Sequence, residues 1–271
     1  MSEEVNIIQV DPVQLQAAEK AMLDTQVVTA KQYPRDIQRS VNDSVSIVTM
    51  STKAAESCGY ALPRGGKVIT GPSVHLARVL AQNWSNIRVE AKIIDITATQ
   101  IVSQAVCFDL QTNYAVKVEV RKSIMGKYGR YKDDMITVTG NAANSIAFRN
   151  AVFNVIPKSV TETVHQAAKN HLTGDLEKEE KLIEKRNNSI KFFKDNYNAT
   201  EAQILKSIGV NSIDAIRQDQ IIIMIGLVQA FKDGDSTPAE VFGGKATTPK
   251  KTGTEKKQDL KDNKSNKVDL P

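Results

Sequence analysis

Residues 86–122 alternate apolar and polar side chains with a period of about two through three successive stretches, and this pattern limits the fold more than any other in the chain. Ile87, Val89, Ala91 and Ile93 alternate with Arg88, Glu90 and Lys92, and Tyr114, Val116, Val118 and Val120 alternate with Lys117, Glu119 and Arg121. Between them, Val102, Val106, Phe108 and Leu110 make the apolar set of a middle stretch. Such alternation marks half-buried strands. The connectors, residues 97–100 and 109–113, are shorter than the crossover that parallel neighbours need, so the expected arrangement is an antiparallel meander. The adjacent Ile93 and Ile94 break the alternation and predict a bulge. One face is expected to meet helices and the other to display Arg88, Lys92, Lys117 and Arg121.

The meander leads into TGNAANSIAFRNAVFNVIP, residues 139–157, a helix capped by Thr139 or Gly140. Its later turns are apolar on nearly every side, as in a helix buried within a core. Asn141, Asn144, Ser145 and Arg149 form a polar stripe in its first half, which Phe148, Val152, Val155 and Ile156 close in the second. Between strands and helix, SIMGKYGRYKDDMITVTG sets Lys127 and Arg130 beside Tyr128 and Tyr131. Cations for phosphates and rings for bases are what a single-strand path uses, although a solvated hairpin has the same composition. Asp133 and Asp134 confine the positive field to one side.

The net charge of +5 points to a nucleic-acid partner only where it is concentrated. Residues 245–271 hold eight lysines against Glu255, Asp259, Asp262 and Asp269, a net of +4, so the remainder is close to neutral. Within that remainder, residues 117–132 hold Lys117, Arg121, Lys122, Lys127, Arg130 and Lys132 against Glu119 alone. With 41% hydrophobic residues in 271, the chain can bury one sizeable core. No apolar run is long enough to span a membrane, and the start MSEEVN lacks the basic and apolar parts of a signal peptide, so a cytoplasmic protein is expected. Cys58 and Cys107 make no metal-ligand spacing with His75, His165 and His171; both are expected to be reduced and packed, with no metal or cofactor implied.

Four parts are expected: an assembly helix in 1–33, an α+β nucleic-acid-binding core in 34–174, a helical appendage in 175–242 and a disordered Lys-rich tail in 243–271. Residues 11–32 make the first helix, with Asp11 as cap, Pro12 at its first position and an apolar face of Leu15, Ala18, Met22 and Val27. A second helix runs from Pro34 to Gly59, with Arg35 and Arg39 as surface charges or ion-pair partners. GYALPRGGKVITGPS is a turn-rich loop carrying Arg64 and Lys67. It is not a nucleotide-binding loop, since Ala61 and Val68 stand where the Walker pattern needs Gly and Ser or Thr, but its glycines admit a nucleic-acid phosphate to the backbone. In the helix that Pro72 opens, Trp84 is expected in the core and His75 on the opposite side. A helix follows Pro157, with His165 and His171 at the surface, and Thr200 with Gln203 makes a capping box in the appendage.

The order of helices, meander, basic hairpin and buried helix resembles the phage single-strand annealing recombinases of the RecT and Red beta type, whose core is a three-stranded meander followed by a long helix. The β-β-β-α order within residues 86–172 carries the resemblance, with AAESCGYALP, residues 54–63, as weaker support. GPSVHLA and NAANSIAFRNAVFNVIP also look like segments of uncharacterised phage proteins. The resemblance implies an α+β fold and ATP-independent binding and annealing of single-stranded DNA in phage homologous recombination within the bacterial host cytoplasm, with no bond broken. It further implies assembly into rings or helical filaments, with a phage exonuclease or a host single-strand-binding protein as candidate partners. Lys117, Arg121, Lys122, Lys127, Arg130 and Lys132 would then hold phosphates and Tyr128 and Tyr131 would stack on bases. Asn141, Asn144 and Arg149 would floor a groove between sheet and helix. Two other classes stand beside it: a metal-dependent nuclease, from the E-x-K of Glu90 and Lys92, and a virion or scaffolding protein. Glu90 between Arg88 and Lys92 is more simply an ion-pair residue.

Overall fold

The three alternating stretches form one antiparallel sheet in the computed structural model, which describes residues 12–64, 67–126, 128–174 and 179–243. In chain order the elements are α1 (Pro12–Gln32), α2 (Ile37–Val48), α3 (Thr52–Ser57), β1 (Gly59–Arg64), β2 (Lys67–Pro72), α4 (Val74–Trp84), β3 (Ile87–Ile96), β4 (Gln100–Asp109) and β5 (Tyr114–Ser123). The short β6 (Met125–Gly126) and β7 (Gly129–Arg130) follow, then α5 (Asp133–Val155), α6 (Lys158–Gly174), α7 (Glu179–Tyr197), α8 (Glu201–Ile208), α9 (Gln218–Asp233) and α10 (Pro238–Phe242). The fold is α+β: a three-stranded meander followed by a long helix, flanked by N-terminal and C-terminal helices. The expected Lys-rich tail lies outside the described residues.

β4 is central in the order β3-β4-β5, and the register shifts between Ile93 and Asp95, the bulge that the paired isoleucines predict. The face of β4 turned to α5 is the reverse of the expected one. Ile101, Ser103, Ala105 and Cys107 are buried there, which puts Val102, Val106 and Phe108 on the outer face. Small side chains decide this: Ala105 and Cys107 meet Ala147 and Ala151 of α5, so helix and sheet approach more closely than bulkier residues would allow. Gly140 is needed in the same interface, because a Cβ there would stand 2.9 Å from Ile101 Cδ1. α5 also begins earlier than the expected Thr139, at Asp133, whose carboxylate and that of Asp134 suit the positive end of the helix.

The expected helix from Pro34 is two. Asp36 caps α2 by accepting from the Arg39 backbone, Thr49 ends it, and Ser51 caps α3. α2, α4 and α6 enclose a core of Val48, Leu76, Leu80, Trp84, Val152, Ile156 and Val164, with Trp84 buried as expected. Arg35 closes its edge. Its guanidinium lies 2.5 Å from Asp109 and 4.8 Å from the Trp84 ring centroid, so it is the ion-pair member of the two alternatives. Both cysteines are free and buried, and burial pushes the Cys58 thiol up to about 11 and that of Cys107 up to about 12. Neither is a thiolate at neutral pH.

The loop expected over residues 59–73 is instead the antiparallel hairpin β1–β2. Pro63, Gly71 and Pro72 obscure it in the sequence, because its support is remote. α9 lies on β1, and Gly226 lets the two backbones meet: a Cβ there would be 2.8 Å from the Ala61 nitrogen. Ala61 thereby joins a second core with Leu182, Phe193, Ile204, Ile221 and Leu227, so the C-terminal helices are built onto the hairpin. α1 turns Leu23, Val27 and Ala30 towards the body and leaves Ala18 and Met22 exposed, so Val27 lies on the inward face as expected and Ala18 and Met22 do not. The burial that decides this comes from residues outside the helix.

His165, expected at the surface, is half-buried. It lines a cavity of about 220 Å³ with Cys58, Gly59 and Ile225, and burial, with Lys169 adding its charge, pushes the imidazole from 6.5 down to about 4. The unfolded chain therefore binds more protons between these values, and stability falls as the pH drops through that window. Denaturant unfolding across it is expected to show His165→Gln with a pH dependence flatter than wild type by up to about 1.4 kcal/mol per pH unit.

Candidate nucleic-acid interface

The β6–β7 hairpin closes one end of the sheet. The Ile124 backbone donates to Thr99 O at 2.9 Å, Tyr131 N donates to Ile124 O at 2.8 Å, and Arg130 Nη1 donates to the carbonyls of Thr97 and Ala98 at 2.8 and 3.1 Å. Arg130 thus ties the hairpin to the β3–β4 turn while remaining exposed. The two tyrosines separate. Tyr128 is 94% exposed at the turn, whereas Tyr131 packs with Ile101, Ile124, Ile136 and Ala143, its ring so close to Gly126 that a Cβ there would clash at 2.6 Å. Tyr131 is therefore a half-buried packing ring, and Tyr128 is the exposed one of the two. Lys132 is exposed just before α5, and Lys127 lies outside the described residues.

The expected groove between sheet and α5 is filled by their packed side chains, and the residues expected to line it divide. Asn141 is exposed; Asn144 Oδ1 accepts from Ser103 Oγ at 2.5 Å and joins helix to sheet. Arg149, expected to face a strand, is 11% exposed. It lies 2.6 Å from Asp235, itself 4% exposed, with its guanidinium 4.6 Å from the Tyr60 ring centroid. Lys122 is half-buried and donates to Gly234 O at 2.5 Å. The turn at the end of α9 therefore takes up one expected phosphate ligand, Lys122, and one expected groove-floor residue, Arg149, and His75 faces Asp233 there at 3.3 Å. A sequence signal for this existed: two acids flanking a glycine directly after a helix, where carbonyls already favour cations, call for a cationic partner.

Lys117 and Arg121 are exposed on the outer face of the sheet, as expected, and Lys67 is exposed on the β1–β2 hairpin; the Arg64 side chain is outside what is described. Around Lys117 and Arg121 the charge alternates. The strand register aligns Glu90 with Lys117, Lys92 with Glu119 and Asp95 with Arg121 across β4, giving no continuous positive track along the sheet. At the hairpin end the surface differs. Ile94 and Ile96 at the end of β3, Met125 and Tyr128 in the hairpin and Met135 and Val138 in the first turns of α5 are each exposed, which strand alternation did not reveal, and so are Arg121, Arg130 and Lys132. Apolar contact surface rimmed by cations suits unpaired bases on a phosphate backbone.

Glu90 is held by Arg88, whose Nε donates to it at 2.6 Å, the ion pair expected from their spacing. Among the described residues, no group of three His, Cys, Asp or Glu is placed to hold a metal ion, and no helix is long and apolar enough to cross a membrane. No family model, curated protein or solved structure matches the chain.

Proposed function

We propose that this chain binds single-stranded DNA and anneals complementary strands without ATP or bond cleavage. The observation that carries this reading is the β6–β7 hairpin, where an almost fully exposed Tyr128 lies in a segment that also exposes Met125, Arg130 and Lys132. The β-β-β-α order, the basis of the resemblance to RecT-type annealing proteins, adds support by analogy. In this reading phosphates follow the cations of the hairpin, Lys127 included, and bases rest on Tyr128 and its apolar neighbours. Bases held by stacking keep their pairing edges available, which annealing requires.

Labelled oligonucleotide titrations at several salt concentrations, with the annealing rate of complementary strands, test the proposal. The double substitution Lys127→Ala/Lys132→Ala is expected to reduce the slope of log K against log salt by about two. Tyr128→Ala is expected to weaken binding by about 1–3 kcal/mol with little change in that slope. A protein that neither binds nor anneals at low salt sinks the proposal; one that binds without annealing is a protective single-strand binder.

A further inference from the structure

The cavity beside His165 lies where two cores meet, and a stripe of one helix from each side lines it. On α6, His165, Ala168, Lys169 and Leu172 recur at i, i+3, i+4 and i+7; on α9, Asp219, Ile222, Ile223 and Gly226 do the same. Small residues close the space between the stripes. Ala55, Cys58 and Gly59 lie there, and His165 Nε2 stands 3.3 Å from where a Cβ on Gly59 would be. Leu172 packs on the core of α2, α4 and α6 and Ile223 on that of the C-terminal helices, whereas the half-buried Ile222 joins none of the hydrophobic clusters of the described residues. Two polar side chains are equally free. Neither His165 nor Lys169, both half-buried, makes a hydrogen bond or ion pair with a described residue. The other polar groups are occupied or outlying: Glu56 is paired with Lys185 at 3.0 Å, Cys58 Sγ donates to Ala54 O at 3.2 Å, and Asp219 is exposed. Burial keeps the imidazole neutral above about 4, so its ring carries one N–H to donate.

We propose that this cavity binds a small apolar monocarboxylate, whose carboxylate is held by Lys169 Nζ and the His165 N–H and whose ring or short chain lies among Leu172, Ile222 and Ile223. Volume sets the size of the ligand. A cavity of about 150 Å³ holds a benzene ring, so about 220 Å³ admits a ring with one small substituent. Charge sets its class. Lys169 is the one cation lining the space among the described residues, and it matches a single negative charge; Asp219 and Glu56 at the walls oppose phosphates and other polyanions. The thiol of Cys58 is not ionised at neutral pH, so the site binds and does not attack its ligand. Because the two stripes belong to different cores, an occupant ties α9 to α6 and stabilises the folded chain by mass action. The site needs no nucleic acid, so its test is independent of the proposed DNA binding.

The experiment titrates sodium benzoate into the DNA-free full-length chain at neutral pH and follows the imidazole resonances of His75, His165 and His171 by NMR, with circular dichroism as a check on folding. The His165 signals are expected to shift and saturate with a Kd on the order of 1 mM, while those of His75 and His171 stay in place. Benzamide, which has the ring without the charge, and inorganic phosphate, which has charge without a ring, should each bind at least about tenfold more weakly. Lys169→Met should weaken benzoate by about tenfold in a chain that still folds. Ile222→Trp fills the space and should abolish saturation. If that variant fails to fold, acetate tests the apolar half instead and should bind at least about tenfold more weakly than benzoate. The proposal is overturned if the His165 signals do not move at benzoate concentrations well above the expected Kd, or if benzamide or phosphate binds as tightly as benzoate. It is also overturned if Lys169→Met binds benzoate as wild type does, or if the folded Ile222→Trp variant, or acetate in its place, matches wild type with benzoate.

Discussion

Arg149→Ala is expected to lower the unfolding free energy by about 3–5 kcal/mol, because it leaves the Asp235 carboxylate buried without its counter-charge. The loss has a second source in the Tyr60 ring, over which the guanidinium lies at 4.6 Å. Removing both charges, as Arg149→Ala/Asp235→Ala, should recover part of it, since no unpaired ion then remains. Denaturant unfolding of the two single variants and the double variant measures the coupling. A cost below about 1 kcal/mol for Arg149→Ala would place the pair among ordinary surface ion pairs. DNA affinity supplies a separate readout. An arginine already engaged by Asp235 has little charge to offer a phosphate, so titrations on the folded variant should show an unchanged salt slope.

Arg35→Ala should be comparably damaging, at about 3–5 kcal/mol, with a pH dependence that identifies its cause. Burial pushes the Asp109 carboxyl up, but hydrogen bonds from Arg35, Thr112 and Gln111, with the charge of Arg35, outweigh it and hold the group below its usual range. A depressed carboxyl stabilises the fold above its ordinary value, and this contribution is lost as the pH falls through the folded value. The gap between wild type and Arg35→Ala should therefore be widest near neutrality and narrow in acid. Arg35→Lys should recover only part, because a lysine cannot also donate through Nε to Gln111 Oε1, 3.3 Å away, or lie flat over Trp84 as the guanidinium does. Unfolding curves at neutral and acidic pH measure this, and a gap that does not change with pH would assign the effect to lost packing alone.

These two arginines show how far local pattern reaches. Arg35, expected on a helix, lies just before α2, and Arg149 lies on α5, yet each is paired with an acid far along the chain: Arg35 with Asp109, 74 residues on, and Arg149 with Asp235, 86 residues on. No periodicity within a helix carries that information. The strands were legible for the opposite reason. Alternation along β3 and β5 reports burial of one face directly, and the short connectors exclude a parallel arrangement. β4 misled because the set facing α5 contains Ser103, Ala105 and Cys107, while the larger Val102, Val106 and Phe108 take the other face, where Val102 is buried and Val106 and Phe108 are half-buried. Volume rather than hydrophobicity decides which residues a close-packed alanine-rich helix accepts.

The candidate site divides in the same way. Residues 127–132 were identifiable by their mixture of cations and rings, but the inward turn of Tyr131 depends on the absence of a side chain at Gly126 and on the cluster around Ile136. The order of helices, antiparallel meander and buried helix, with Trp84 and the two cysteines in the core, was determined by the sequence alone, because apolar spacing and connector length act over a few residues. The buried face of β4, the β1–β2 hairpin against Gly226, and the engagement of Lys122 and Arg149 by the turn after α9 were decided only by tertiary structure. Each of these depends on which surfaces meet, and for a charged side chain the partner it meets determines whether it remains free for a ligand.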